Sequence, residues 1–147
     1  MKDSGNSVEQ CVITAQAALK AVQAAVAHAG TLGIRVNIAV VDPAGLLAAF
    51  VRMPGAPLHS IGIAQDKAYT AASFGLPTSR WHEALASHSE AVRQGLPLRP
   101  RFVAFGGGLP IVEGRQLIGG IGVSGGSELQ DQACAQAGLQ AIGLDTP

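Results

Sequence analysis

Apolar residues recur along this chain with two spacings, and the switches between them divide it into elements. From Ser7 to Ala29 they fall three and four apart (Val8, Val12, Ala15, Leu19, Val22, Val26), which predicts an amphipathic helix. Ser7 and Gln10 have the spacing of a capping box at its start, and Gly30 or Gly33 ends it. Arg35–Val41 is rich in β-branched residues and predicts a strand. Asp42-Pro43-Ala44-Gly45 then fits a tight turn, and Leu46–Arg52 is expected to return as an antiparallel partner. Met53–Pro57 holds two prolines and a glycine and cannot continue a ladder. Helices are predicted over Ser60–Ser73 and from Thr78 or Ser79 to about Arg93. The second of these puts Trp81, Leu85, His88 and Val92 on one face.

Further on, Phe102–Phe105 reads as a short strand. Leu109–Val112 and Gln116–Val123 read as a hairpin about Glu113-Gly114-Arg115. In its second strand Gly120 and Gly122 alternate with Ile121 and Val123, leaving one face as bare backbone against which a helix or ligand can lie. A last helix is expected from Ser127 to about Ile142, with capping-box spacing between Ser127 and Gln130. The order α-β-β-α-α-β-β-β-α predicts an α/β (α+β) domain over residues 1–147, a five-stranded antiparallel sheet with packed helices. Neither the βαβ alternation of a Rossmann fold or TIM barrel nor an internal repeat is present.

Composition narrows the function classes. Hydrophobic residues make up 48% of the 147 and aromatics only 4%, so the core is built of Ala, Val, Ile and Leu. Charged residues are only 14%, a sparse coat that is expected to be partly covered in a homo-oligomer. Lys plus Arg and Asp plus Glu balance at ten each, so no global field draws nucleic acid or a membrane surface. No apolar run reaches the roughly 18 residues of a membrane span. The N-terminal residues lack a signal-like apolar region, and Cys11 and Cys134 lack metal or CxxC spacing. A cytoplasmic protein with free thiols is expected.

The residues that could carry chemistry concentrate in Val40–Thr78. Arg52, at a strand end, is either a bidentate carboxylate clamp or the partner of Asp66 or Glu83. Lys67, in an Ala-rich helix, is either a desolvated base or anion ligand, or a solvated neighbour of Asp66. His59 is the first choice for a pocket histidine. His28 suits a helix C-terminus, and His88 a core or interface position. His82 and His88 stand six apart rather than four, so no metal site is expected. Outside that stretch, Gly106-Gly107-Gly108 and Ser124-Gly125-Gly126 expose backbone N–H groups. The second set stands at a helix start where an anion such as a carboxylate would be favoured. Tight strand-to-helix turns would explain the same glycines. Asp42 reads as turn chemistry and Cys134 as packing, while Glu128 and Asp131 either reach a pocket across the sheet or complement the dipole of the last helix.

Five boxes carry a resemblance. VVDPAG (Val40–Gly45), RMPGAP (Arg52–Pro57), IAQDKAYTAASFGLPT (Ile63–Thr78), GGGLPI (Gly106–Ile111) and GGIGVSGGSELQDQACA (Gly119–Ala135) occur in this order. Together they resemble the GlcG/HbpS-like family (DUF336), which includes the C-terminal domain of PduO-type proteins. The resemblance implies a profilin-like fold that assembles into dimers or larger rings. It also implies haem binding in several members and, in others, a place beside enzymes of glycolate, propanediol or aromatic-compound catabolism. In the RMxGAP box relatives often carry an acidic residue where this chain has Pro54. Two functions are carried forward. One is a protein that holds haem or a small anionic metabolite in a pocket at a subunit edge. The other is a small hydrolase, deaminase or isomerase of unsaturated carboxylic acids, with Arg52 and Lys67 as its catalytic candidates.

Overall fold

The computed structural model describes residues 5–147. Its element order is α1 (Ala15–Thr31), β1 (Asn37–Val41), β2 (Leu47–Arg52), α2 (His59–Phe74), α3 (Trp81–Ala86), α4 (Glu90–Gly95), β3 (Gly108–Glu113), β4 (Gln116–Ser124) and α5 (Glu128–Ala141). The strands form one sheet in the order β2-β1-β4-β3, antiparallel throughout. Period-two alternation sorts its two faces. Ile38, Val40, Leu109, Ile111, Ile121 and Val123 pack with α1 and α5. Ala39 and Val41 pack with Ala64, Ala68 and Ala72 of α2. The result is three layers, helices on both faces of a mixed α/β sandwich. Among the described residues no helix is long and apolar enough to cross a membrane.

The sheet has four strands, not five. Phe102–Phe105 does not enter a ladder because its backbone donors are used elsewhere: Phe102 N–H turns back to the Arg99 carbonyl (3.3 Å). Val103 N–H donates to Thr70 Oγ1 (3.1 Å), and the following Gly106 N–H donates to Glu128 Oε1 (2.9 Å). The chain turns into this segment through Arg101, the one non-glycine residue with positive φ (67°) among those described.

The β1–β2 hairpin forms as its turn chemistry predicts. Asp42 Oδ1 accepts from Ala44 N–H (2.8 Å) and Leu46 N–H (3.0 Å), and the register shifts by one residue after Val40. In the next loop Ala56 N–H closes a turn on the Met53 carbonyl (3.0 Å) with Gly55 at φ 87°. Pro54 therefore sits where a type II turn wants φ preset.

Two helices depart from the pattern. α1 starts at Ala15, capped by Thr14 Oγ1, which accepts from Ala17 N–H (3.1 Å). Ser7 and Gln10 make no helix start there, since Ile13 N–H is drawn to the Ile118 carbonyl at the end of the sheet (2.9 Å). The buried stripe of α1 is Ala18, Ala21, Val22, Ala25 and Ala29, while Leu19 faces out. The helix expected from Thr78 to Arg93 is broken into a 3-10 turn, α3 and α4. Ser87 Oγ donates to the Ala84 carbonyl and Ser89 Oγ accepts from Val92 N–H, as hydroxyls compete with helical hydrogen bonds. His88 lies in the break and is exposed. By contrast, the Ser127–Gln130 capping box of α5 is present in full.

Gly120 and Gly122 let α2 lie directly on β4. A Cβ at Gly122 would overlap the Ala64 carbonyl, and one at Gly120 the Ala68 carbonyl. The obstacle is backbone, which cannot rotate away. Gly122→Ala is therefore expected to destabilise the fold by about 3 kcal/mol or more, read as a lower urea midpoint at unchanged m-value. A shift below about 1 kcal/mol would mean that α2 is not held this close.

Candidate functional site

Lys67 is the largest fully buried side chain among the described residues, at 1% exposure. It leaves α2 between Ala64, Ala68 and Ala71, whose small side chains let it approach the sheet. Its ammonium passes the end of β4, donates to the Val123 carbonyl (2.8 Å) and to Asp131 Oδ2 of α5 (3.1 Å), and lies under the Phe105 ring (5.1 Å to the centroid). α2 and α5 lie on opposite faces of the sheet, so this ion pair ties the two outer layers around the sheet's end. Gly107, at φ 124°, leaves the passage open: a Cβ there would stand 2.6 Å from Nζ and 3.0 Å from Asp131 Cβ.

Burial pulls the Lys67 pKa below its ordinary value, opposed by the charge and hydrogen bond of Asp131 and by Glu128. Asp131, 2% exposed, uses its other oxygen to accept from Gly126 N–H (2.8 Å). One turn further, the Cys134 thiol is raised to about 11, by burial first and by Asp131 second. That holds it as the neutral packing residue expected.

The glycine runs stand around this pair. Gly106 N–H donates to Glu128 Oε1 (2.9 Å), Gly108 N–H to Thr78 Oγ1 (2.8 Å), and Gly126 N–H to Asp131 Oδ1. Ser124 is buried in the last position of β4, opposite Asn37, and Gly125 lies over the Arg35 carbonyl. The N–H groups of Gly106 and Gly126 do meet anions, and these are carboxylates of the chain's own last helix. Glu128 and Asp131 thus reach across to the loops as well as standing in the first turn of α5. Lys67 and the six residues of the two glycine segments are gathered at one end of the sheet.

Arg52 closes β2 and His59 opens α2, at the two ends of the loop between them. Arg52 stands opposite Asn37, which also pairs with Ser124, so it lies at the same end of the sheet as that cluster, two strands over. Arg52 pairs with neither Asp66 nor Glu83. Its Nη2 donates to the Ala56 carbonyl (2.8 Å), while Asp66 is taken by Arg101 Nε (2.9 Å). His59 opens α2 with an exposed imidazole beside Leu58, which is 72% exposed. Below them Asn37 is fully buried, its Nδ2 held by the Pro57 carbonyl (3.1 Å) and its Oδ1 without a partner.

Sequence reasoning singled out Lys67 and missed that Asp131 is its partner and Phe105 its cover. A lysine whose neighbours at i−3, i+1 and i+4 are all alanine was the available signal, because such a stripe is the buried one. Nothing local connects residues 67 and 131.

The geometry can be set beside known proteins. The family described as "Haem degrading protein HbpS-like" matches residues 13–140. The chain is a member of the HbpS-like family. An uncharacterised 15.0 kDa protein from the dhaT-dhaS intergenic region of Citrobacter freundii is 35% identical over 136 residues, which cover 92% of this chain and 96% of that protein. Among solved structures, Klebsiella pneumoniae ORFY superposes with a TM-score of 0.87 at 33% identity, covering 97% of this chain and 98% of that one. PduOC in its complex with haem gives 0.83 at 32% identity, covering 92% and 98%.

The buried pair of this HbpS-like chain makes a definite thermodynamic claim. Lys67→Met and Asp131→Asn should each cost about 3–5 kcal/mol, because each strands the other charge in the interior. The double variant should lose much less than the sum, with a coupling energy of about 2 kcal/mol or more in denaturant titrations. Additive losses would mean that the two groups do not interact.

Proposed function

We propose that this protein binds haem or a related flat, carboxylate-bearing ligand, and that it holds it at the exposed loop between β2 and α2. The observation that carries this reading is the unengaged imidazole of His59, exposed between the apolar side chain of Leu58 and the start of α2, with Arg52 fixed on the same loop. A histidine is a normal axial ligand for haem iron, an exposed apolar surface suits the macrocycle, and an anchored guanidinium suits a propionate. The likeness to the haem complex of PduOC at 32% identity supports it. Bound haem would supply the iron and its redox chemistry. The chain's own residues would hold and orient it: His59 at the metal, Leu58 against the ring, Arg52 at a carboxylate.

This face is open, so a second copy of the chain would complete it. β2 is an edge strand, and Leu46, Leu47, Val51 and Leu58 are all exposed along it and the following loop, the apolar edge that a homo-oligomer would cover. Lys67 and the segments Gly106–Gly108 and Ser124–Gly126 lie at this same end of the sheet and would support the loop by fixing the strand ends and α2 beside it. An enzyme that uses Lys67 to move protons has less support, since its ammonium is enclosed and fully engaged.

Titrating hemin into the purified protein should produce a saturable Soret band of a histidine-ligated haem. His59→Ala should abolish or shift that band, and His28→Ala should leave it in place. An unchanged spectrum in His59→Ala would remove this loop as the site. Absence of any Soret change in the wild type would remove haem as the ligand.

A further inference from the structure

On the outer side of α2, away from the β2–α2 loop, lies a cleft that haem binding does not use. Its volume is about 210 Å³, and Tyr69, Phe74, Leu96, Phe102, Arg99 and Arg101 line it. The wall is aromatic and rigid. Phe74 and Phe102 both stand edge-on to the buried ring of Trp81, at 4.7 and 4.9 Å between centroids, and edge-on to each other at 6.1 Å. Such edge-to-face contacts fix ring planes and leave apolar edges for a further ring to join.

The rim is charged and asymmetric. Arg101 is held on three sides: Nε donates to Asp66 (2.9 Å), the guanidinium stacks on Tyr69 (3.8 Å to the ring centroid), and its carbonyl accepts from Thr70 Oγ1 (2.9 Å). These contacts hold it at φ 67°, a left-handed conformation that L-residues other than glycine rarely adopt. Asp66 neutralises Arg101. Arg99, two residues away on the same rim, has no side-chain hydrogen bond or ion pair among the described residues. The cleft therefore carries one uncompensated positive charge above an aromatic floor.

From these features we infer that the cleft is a second binding site, for a single-ring aromatic carboxylate. Size decides the class: the cleft is below the ~300–1,000 Å³ that holds a drug-sized ligand, so it admits one ring and excludes a tetrapyrrole. Charge decides the substituent. Arg99 presents a planar pair of donors that matches a carboxylate, and the ring would lie against Phe74 and Phe102, with Arg101 and Tyr69 closing the other side. This site is independent of the haem reading, since it shares no residue with the β2–α2 loop.

Trp81 is the chain's single tryptophan and touches two residues of the cleft wall, so it reports occupancy directly. Benzoate titrated into the full-length protein should change Trp81 emission saturably, with a Kd of about 1 mM or tighter. Benzamide, of the same shape without the charge, and acetate, without the ring, should each bind at least tenfold more weakly. Arg99→Gln should weaken benzoate about tenfold and leave hemin titration unchanged. Because the Arg99 side chain is exposed and makes no hydrogen bond or ion pair among the described residues, this variant should keep the wild-type circular dichroism. No emission change with benzoate up to ~20 mM, equal affinity for benzamide, or an unaffected Arg99→Gln would each overturn the assignment.

Discussion

The buried ion pair between Lys67 and Asp131 is the constraint on which the rest of the structure depends. It joins α2 to α5 around the end of a sheet that otherwise separates them. An unpaired charge at either position would be prohibitive to bury, so the two helices, β4 and the Gly106–Gly108 loop can adopt only an arrangement in which the charges meet. The glycines follow from this. Gly107 clears the lysine's path, and Gly120 and Gly122 bring α2 close enough for the side chain to reach. Alanine supplies most of the surrounding surface, because only a thin side chain allows helix axes so near the sheet and each other.

One consequence concerns where ligands can go. Glycine-rich segments at a helix start are natural anion sites. Here the protein fills them with Glu128 and Asp131. The end of the sheet is a closed electrostatic unit, and unengaged chemistry lies at the periphery: the imidazole of His59 on the β2–α2 loop, and Arg99 above the Phe74–Trp81–Phe102 cluster. Both stand at either flank of α2, so the helix that carries the buried lysine also anchors the two exposed surfaces.

Much of this was legible in the sequence where the cause is local. Asp42 to Gly45 specifies its own turn through a side chain reaching two and four residues on. Ser127 and Gln130 specify the start of α5. Gly120 and Gly122 announce a close approach to one face. Where the cause is distant, local pattern misled. Ser7 and Gln10 look like a cap, but Ile13 is claimed by Ile118, and the helix waits for Thr14. Phe102–Phe105 looks like a strand, but its donors are taken by the Arg99 carbonyl, Thr70 and, just beyond, Glu128. The apolar period of α1 was read through its largest residues, whereas the packed stripe is the alanine one. Arg52 and Lys67 were both recognised as special, but their partners, the Ala56 carbonyl and Asp131, required the fold.

The claim that the glycine N–H groups are already occupied by the chain's own carboxylates is tested most directly by residue-resolved amide hydrogen exchange in the ligand-free protein. Gly106 and Gly126 lie in loops, outside any ladder, and would exchange rapidly if their N–H groups faced solvent. With Glu128 and Asp131 in place, both should exchange at least ~100-fold more slowly than an unstructured glycine. Exchange of either at the unprotected rate would contradict the internal arrangement and reopen that end of the sheet as a ligand site.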